Sequence, residues 1–132
     1  MVDASFASER RYDDDRFTAR TVFESERMKV VLGYFEPGQF IPVHAPDSDV
    51  AVVVQAGTGR GRDGADEHAV EPGDVVVVEA GTERGVRADE TTRLEAALVT
   101  APPPTEEEHA PVHEGIRRDE FDPLASREGP DR

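Results

Sequence analysis

The sequence predicts an all-β domain with extended termini, a small barrel or sandwich of short strands centred on Met28 to Val99. Three observations predict it. Short apolar runs recur through this stretch and are rich in valine, as in VVLGYF, DVAVVVQ and VVVV. Turn signals interrupt them at close spacing, at Pro37-Gly38, Gly57, Asp63-Gly64, Pro72-Gly73 and Gly81. The stretch that reads most readily as a helical turn, RLEAALV from Arg93 to Val99, is short and stands among strands.

The elements follow in order. Residues 1–20 are mostly polar, with Asp13, Asp14 and Asp15 in a row and Phe6, Tyr12 and Phe17 scattered. They are expected to be a flexible acidic segment whose second half, from Phe17 to Phe23, docks as an edge strand. The β domain then occupies residues 21–100. MKVVLGYFEPG is a strand closed by Pro37-Gly38, and QFIPVHAP is extended but interrupted by prolines. DVAVVVQAG is a β-branched run ended by Gly57, and RGRDGADEHAV is a hairpin about Asp63-Gly64. EPGDVVVVEAG repeats the pattern of turn, valine strand and glycine, and a turn at Asp89 and Glu90 leads to the last strand. In residues 101–132 three successive prolines exclude a regular central strand. This part is expected to be a proline-rich extended strap, with one short helical turn available from Thr105 to Glu108. Its expected anchors are Ile116, Phe121 and Leu124, and its end, SREGPDR, is expected to be disordered.

The strand faces carry a further expectation. Val50, Val52 and Val54 share one face by their period of two, and Ala51, Val53 and Gln55 share the other. Both faces are largely apolar. One lines the interior, and the other needs a second sheet, a terminal segment or another subunit to cover it. The run Val75 to Val78 makes the same demand. A homodimer is the expectation.

Composition narrows the function. The 132 residues suffice for one domain with one modest core. There is no cysteine, so disulfides, thiolate metal sites and cysteine nucleophiles are excluded. No apolar run approaches the ~20 residues that span a bilayer. The first residues lack a basic start followed by an apolar stretch, so a cytoplasmic location is expected. Acidic residues number 29 against 15 basic ones, a formal charge of −14. Lys29 is the chain's one lysine among its basic residues; the rest are arginine. Such a surface repels phosphate backbones and acidic membranes, so neither nucleic acid nor membrane is an expected partner. The lysine-poor, acidic balance fits a protein working in concentrated salt, where self-repulsion is screened.

Few side chains offer metal or acid-base chemistry. His44 follows an extended segment and can point inward, with Asp47 and Asp49 close behind it in sequence. It reads either as a weak divalent ligand or as a pocket histidine satisfied by a hydrogen bond. His68 reads as a solvated strand residue. His109 and His113 are four apart, a helical spacing that Pro111 makes awkward. Arg84 and Arg87 follow the second valine run. An inward Arg84 would be a fixed cation for a carboxylate or phosphate, and would oppose a metal at His44; a salt bridge to one of the many acids is the plainer alternative. Gly57-Thr58-Gly59-Arg60-Gly61 has neither the spacing nor the context of a phosphate loop.

Together these features resemble the cupin superfamily in its small single-domain form, over residues 28 to 99. The first cupin motif is matched by Gly38, five residues, then His44. Its second histidine position holds Pro46, its glutamate position holds Val50 with Asp49 one short of it, and its closing glycine is Gly57. The second motif is matched by Gly73, DVVVV, then Glu79-Ala80-Gly81, with Arg84 at the histidine position and Ala88 at the asparagine position. The whole also looks like haloarchaeal proteins of this kind.

The resemblance implies a double-stranded β-helix, or jelly-roll, barrel and a dimer formed through edge strands. It carries over one metal ligand, His44; three of the four ligand positions depart. The expected function is therefore a non-catalytic or sensing protein that binds a small polar or anionic organic ligand. His44 and Arg84 would be its anchors, Asp49 would orient His44, and Val50 and Val52 would form the apolar wall, with no cofactor. One alternative is a divergent metal-dependent enzyme of dioxygenase or isomerase type, holding Fe, Mn, Zn or Ni on His44 and Asp49 with help from Asp47 or His68. The other is a structural or protein-interaction module.

Overall fold

The structure, a computed structural model, describes residues 1–123. The expected anchor Leu124 and the expected disordered end lie outside them. A short helix, α1 (Phe6–Glu9), precedes nine strands: β1 (Thr18–Glu24), β2 (Lys29–Phe35), β3 (Phe40–His44), β4 (Asp49–Gly57), β5 (Gly59–Asp63), β6 (Asp66–Val70), β7 (Val75–Val78), β8 (Arg84–Ala88) and β9 (Leu94–Ala101). Helix α2 (Ala110–Arg118) follows.

The strands form two antiparallel sheets, a five-stranded one in the order β1-β2-β9-β4-β7 and a four-stranded one in the order β3-β8-β5-β6. This corrects the expected all-β jelly-roll barrel: neither sheet closes, and a helix packs on β3. The physical reason is visible at β3. Pro42 has no N–H to give to a neighbouring strand. The next donor, the N–H of Val43, goes to the carbonyl of Phe121 at 2.7 Å, in the C-terminal segment. The pairing of β3 with β8 also shifts register between Ile41 and His44. The outer side of β3 is therefore closed by the chain's own tail.

The sheets bury their inner faces against each other. In β4, Val50, Val52 and Val54 are buried while Asp49, Val53 and Gln55 are exposed, as the period of two requires. Phe17 stacks on Phe35 with ring centres 5.4 Å apart and closes one end of the core. Two glycines are enforced by close approach. A Cβ at Gly59 would lie 2.3 Å from the Arg87 carbonyl oxygen, and one at Gly115 would lie 2.5 Å from the Pro42 ring. Gly115 lets α2 lie directly on β3.

The terminal segments are more ordered than the sequence suggests. Ser5 and Ser8 form a reciprocal capping box that starts α1. Beyond it, Arg10 and Tyr12 reach across the outward face of the five-stranded sheet to buried Glu95 on β9. Tyr34 is fully buried beneath them, edge-on to Phe6 and Tyr12, and its hydroxyl donates to the Phe6 carbonyl. After β9 an extended strap is expected, yet nine residues are helical. Pro111 sits in the first turn of α2, where no N–H is needed, so it starts the helix instead of breaking it. Of the expected anchors, Ile116 packs against the core and Phe121 lies edge-on to Phe40.

The N-terminal segment covers only one end of the outward sheet face. Phe23, Val53, Val75 and Val77 remain exposed on it, Val75 at 58% and Val77 at 61%. Register joins Phe23, Val30, Val99, Ala51 and Val77 into one rung of that face.

Candidate functional site

A cavity of about 370 Å³ lies between the sheets, within the size range of small-molecule pockets. Its walls can be read from strand register. Lys29, Thr100, Val50 and Val78 form one inward rung across β2, β9, β4 and β7. Val31, Leu98, Val52 and Val76 form the next. Beyond these, Gly33 and Phe17 line the far end, beside the Phe17–Phe35 stack. The four-stranded sheet contributes Ile41, His44, Gly61, Val70, Arg84 and Val86. A Cβ on Gly61 would meet Val76 at 3.7 Å and Val70 at 3.9 Å, ordinary van der Waals contacts that the wall accommodates without shifting. The segment from Pro104 to His113 completes the lining near Lys29 and His44.

Backbone bonds hold that segment in place. The Ser48 hydroxyl donates to the Pro102 carbonyl at 2.6 Å. Glu108 accepts from the N–H groups of Asp47, at 2.6 Å, and Thr105, at 2.8 Å. These two bonds hold the Glu108 carboxyl below its ordinary range.

Each sequence-predicted residue now has a place. His44 ends β3, buried and lining the cavity. A carbonyl can only accept, so the 2.9 Å contact with the Pro42 oxygen puts the ring proton on Nδ1. Burial pushes the imidazole down to about 4, and His109 and Arg84 push it the same way. At neutral pH the ring is uncharged and presents Nε2 as an acceptor.

Val50 and Val52 line the wall as expected. Asp49 does not face His44: its carboxylate caps the turn after β7, accepting from the Ala80 N–H at 2.9 Å. Arg84 is buried beside the cavity, but its guanidinium donates to three backbone carbonyls: Ser48 at 2.6 Å, Glu79 at 2.9 Å and Thr82 at 3.2 Å. It ties the β3–β4 loop to the β7–β8 loop, and among the described residues it forms no salt bridge. Arg87 stacks on Phe121 and pairs with Glu67 on the outer surface. His68 is exposed on β6.

Sequence reasoning misses three cavity residues. The spacing of His109 and His113 does not place either of them near His44. Helix α2 brings His109 within 5.8 Å of His44, ring centre to ring centre, and within 6.4 Å of His113. Burial, followed by the charge on Lys29, pushes His109 below its ordinary value. Lys29 is the third. Its solitary place in the composition is visible, but its orientation depends on the register of β2 against β9.

The charged lining departs from the rest of the chain. Four basic residues, Arg16, Lys29, Arg62 and Arg84, border the cavity with one acidic residue, Glu106. Three of these cations are engaged. Arg62 pairs with Asp122 and Glu83, Arg84 holds carbonyls, and Arg16 lies over the Phe17 ring. The Lys29 ammonium has no ion pair or hydrogen bond among the described residues.

Metal ligation fits this set poorly. Among the described residues no group of three or more His, Cys, Asp or Glu side chains is arranged to hold an ion. His44 has Pro46, Val50 and Arg84 where the cupin ligands would stand, and Asp49 is turned to Ala80.

Comparison with known proteins places this architecture. The chain is similar over most of its length to TT1209 from Thermus thermophilus, at 31% identity and a TM-score of 0.75, covering 79% of this chain and 100% of that one. It is similar to an RmlC-like cupin protein from Desulfovibrio desulfuricans, at 34% identity and a TM-score of 0.70, covering 78% and 98%. A conserved double-stranded β-helix protein from Klebsiella pneumoniae shares the fold at 22% identity and a TM-score of 0.70, covering 75% and 88%. No curated protein matches the chain. The family model for the cupin domain matches residues 31–101, from β2 through β9. The chain belongs to the cupin superfamily, as a single cupin domain.

Proposed function

We propose that this protein is a non-catalytic or sensing cupin that binds a small anionic organic ligand in the cavity between its sheets. One observation carries the reading. In a chain with 29 acidic and 15 basic residues, the residues lining the cavity include four basic ones and one acidic one. The apolar walls supply contact area, and the few polar groups near His44 supply orientation.

The test is a thermal-shift screen of small organic acids and small organic amines in molar KCl. Acids are expected to raise Tm, since a ligand at a hundred times its Kd adds about 2.7 kcal/mol to the folded state. Filling the cavity with Val52→Phe should abolish the shift. A shift unaffected by that substitution, or produced equally by amines, overturns the reading.

A divergent metal-dependent enzyme is the second reading. It is favoured by the hydrogen bond from His44 Nδ1–H to the Pro42 carbonyl, which leaves Nε2 to ligate and resembles the support that metal-binding imidazoles receive. After incubation with Fe, Mn, Zn or Ni, stoichiometric metal that is lost in His44→Ala would favour this reading over the first. We further propose that two copies associate through the exposed rungs around Val53, Val75 and Val77.

A further inference from the structure

The cavity is polarised along its length. At one end the inward rung holds Lys29 and Thr100, and His109, also on the lining, lies close enough to feel the Lys29 charge. The next rung inward is wholly apolar: Val31, Leu98, Val52 and Val76. The far end is glycine and aromatic, with Gly33 against the Phe35 ring and the Arg16 guanidinium already laid over the Phe17 ring. A ligand charged throughout would leave one end buried against hydrocarbon without a partner. A wholly apolar ligand would leave the ammonium of Lys29 unanswered.

The cationic groups differ in what they can still do. Arg84 and Arg62 already hold protein oxygens. Lys29 is half-buried, lines the cavity and holds none. The neighbouring Thr100 hydroxyl and the neutral His109 ring can donate to the same oxyanion without adding repulsive charge. Glu106, exposed on the lining segment, disfavours a second negative charge at this end.

We infer that the ligand is an amphipathic monocarboxylate, its carboxylate held by Lys29 and its hydrocarbon part lying against Val31, Val52, Val76 and Leu98. This rests on the cavity-binding reading above and adds to it the ligand class, its orientation and the residue that selects it. The one lysine of the chain is then the specificity determinant. The Arg84 expected from sequence is a loop clamp.

The experiment is calorimetric titration of the full chain in molar KCl with hexanoate, hexanol and hexylamine. Butyrate and octanoate extend the series. Hexanoate is expected to bind about tenfold or more tighter than hexanol, as a charge-assisted hydrogen bond allows. Each added methylene should tighten binding by up to roughly fourfold until the cavity is full. In Lys29→Met the preference for hexanoate over hexanol should fall to parity while hexanol binding persists. Lys29→Arg should keep the preference, and the melting curves of both variants show that they fold.

If hexanoate and hexanol bind the wild-type chain equally, the inference falls and the cavity reading survives. If hexylamine binds best, both fall. If none of the probes binds and other small acids raise Tm in the screen, the inference falls alone. If those acids also fail, the cavity reading falls with it.

Discussion

Glu95 on the outward face of β9 receives the Arg10 guanidinium at 2.6 and 3.1 Å, across 85 positions of sequence. The Tyr12 hydroxyl donates to the same carboxylate at 2.6 Å. Burial alone would raise the Glu95 carboxyl, but these donors outweigh it and hold it below its ordinary value of 4.5. A folded-state value below the unfolded one adds stability that is full above about pH 4.5 and is lost as pH falls further. We expect Glu95→Gln to lower stability by about 1–3 kcal/mol at neutral pH. It should also free the N-terminal segment, seen as faster amide exchange in residues 6–12. Equal exchange in variant and wild type would show that the aromatic contacts of Phe6 and Tyr12 with Tyr34 hold the segment alone.

His44 sets a second acid limit. Its folded-state value of about 4 lies below the unfolded 6.5, so the unfolded chain binds the extra proton first. The stability it contributes is complete above pH 6.5 and is lost as pH falls towards 4, on the order of 3 kcal/mol in all. Denaturant unfolding of wild type and His44→Gln across this range should show the wild type losing stability and the variant keeping most of its own. Parallel pH curves would mean that His44 is not buried in the neutral form.

Gly59 and Gly61 lie two apart on β5 and should respond oppositely to alanine. At Gly59 the new Cβ meets the Arg87 carbonyl at 2.3 Å, and a loss of about 1–3 kcal/mol is expected. At Gly61 it makes ordinary van der Waals contact with Val76 and Val70, and a gain of up to about 1 kcal/mol is expected from the stiffer chain. Urea midpoints measure both.

Arg84→Lys keeps the charge but not the fork. Its single ammonium cannot reach Ser48, Glu79 and Thr82 together, so a loss of about 2–4 kcal/mol is expected. Hexanoate affinity should change little once the folded fraction is accounted for. A large loss of affinity at unchanged stability would return Arg84 to the role of ligand anchor.

The outward face offers a direct test of association. Sedimentation should give a dimer for the wild type and a monomer for Val77→Glu, because a new carboxylate on an apolar rung of an acidic protein both resists desolvation and repels. A dimer that persists in Val77→Glu places the interface elsewhere.

Sequence carries the strands further than their assembly. The valine runs and their turn glycines place most strands, because a two-residue period and a left-handed glycine are local properties. Gly38, Gly57, Gly64, Gly73 and Gly81 all have positive φ. Open sheets in place of a barrel are not legible, because the partner of the Val43 N–H is Phe121, 78 positions away. Pro111 reads as a helix breaker because its effect depends on where the helix starts. In the site, Val50, Val52 and His44 are found by spacing. Arg84 is placed at the cavity, but its bonds to Ser48, Glu79 and Thr82 are not legible, since sequence does not reveal which carbonyls converge on a guanidinium. Lys29 and His109 meet through β2, β9 and α2, a relation that only the folded register creates.

Lys29 has a practical consequence as well. It is the one side-chain amine in the chain, so reductive methylation or an amine-directed fluorophore modifies a single side chain, at the cavity. The protein carries a natural handle for spectroscopy at that position, without any engineered cysteine.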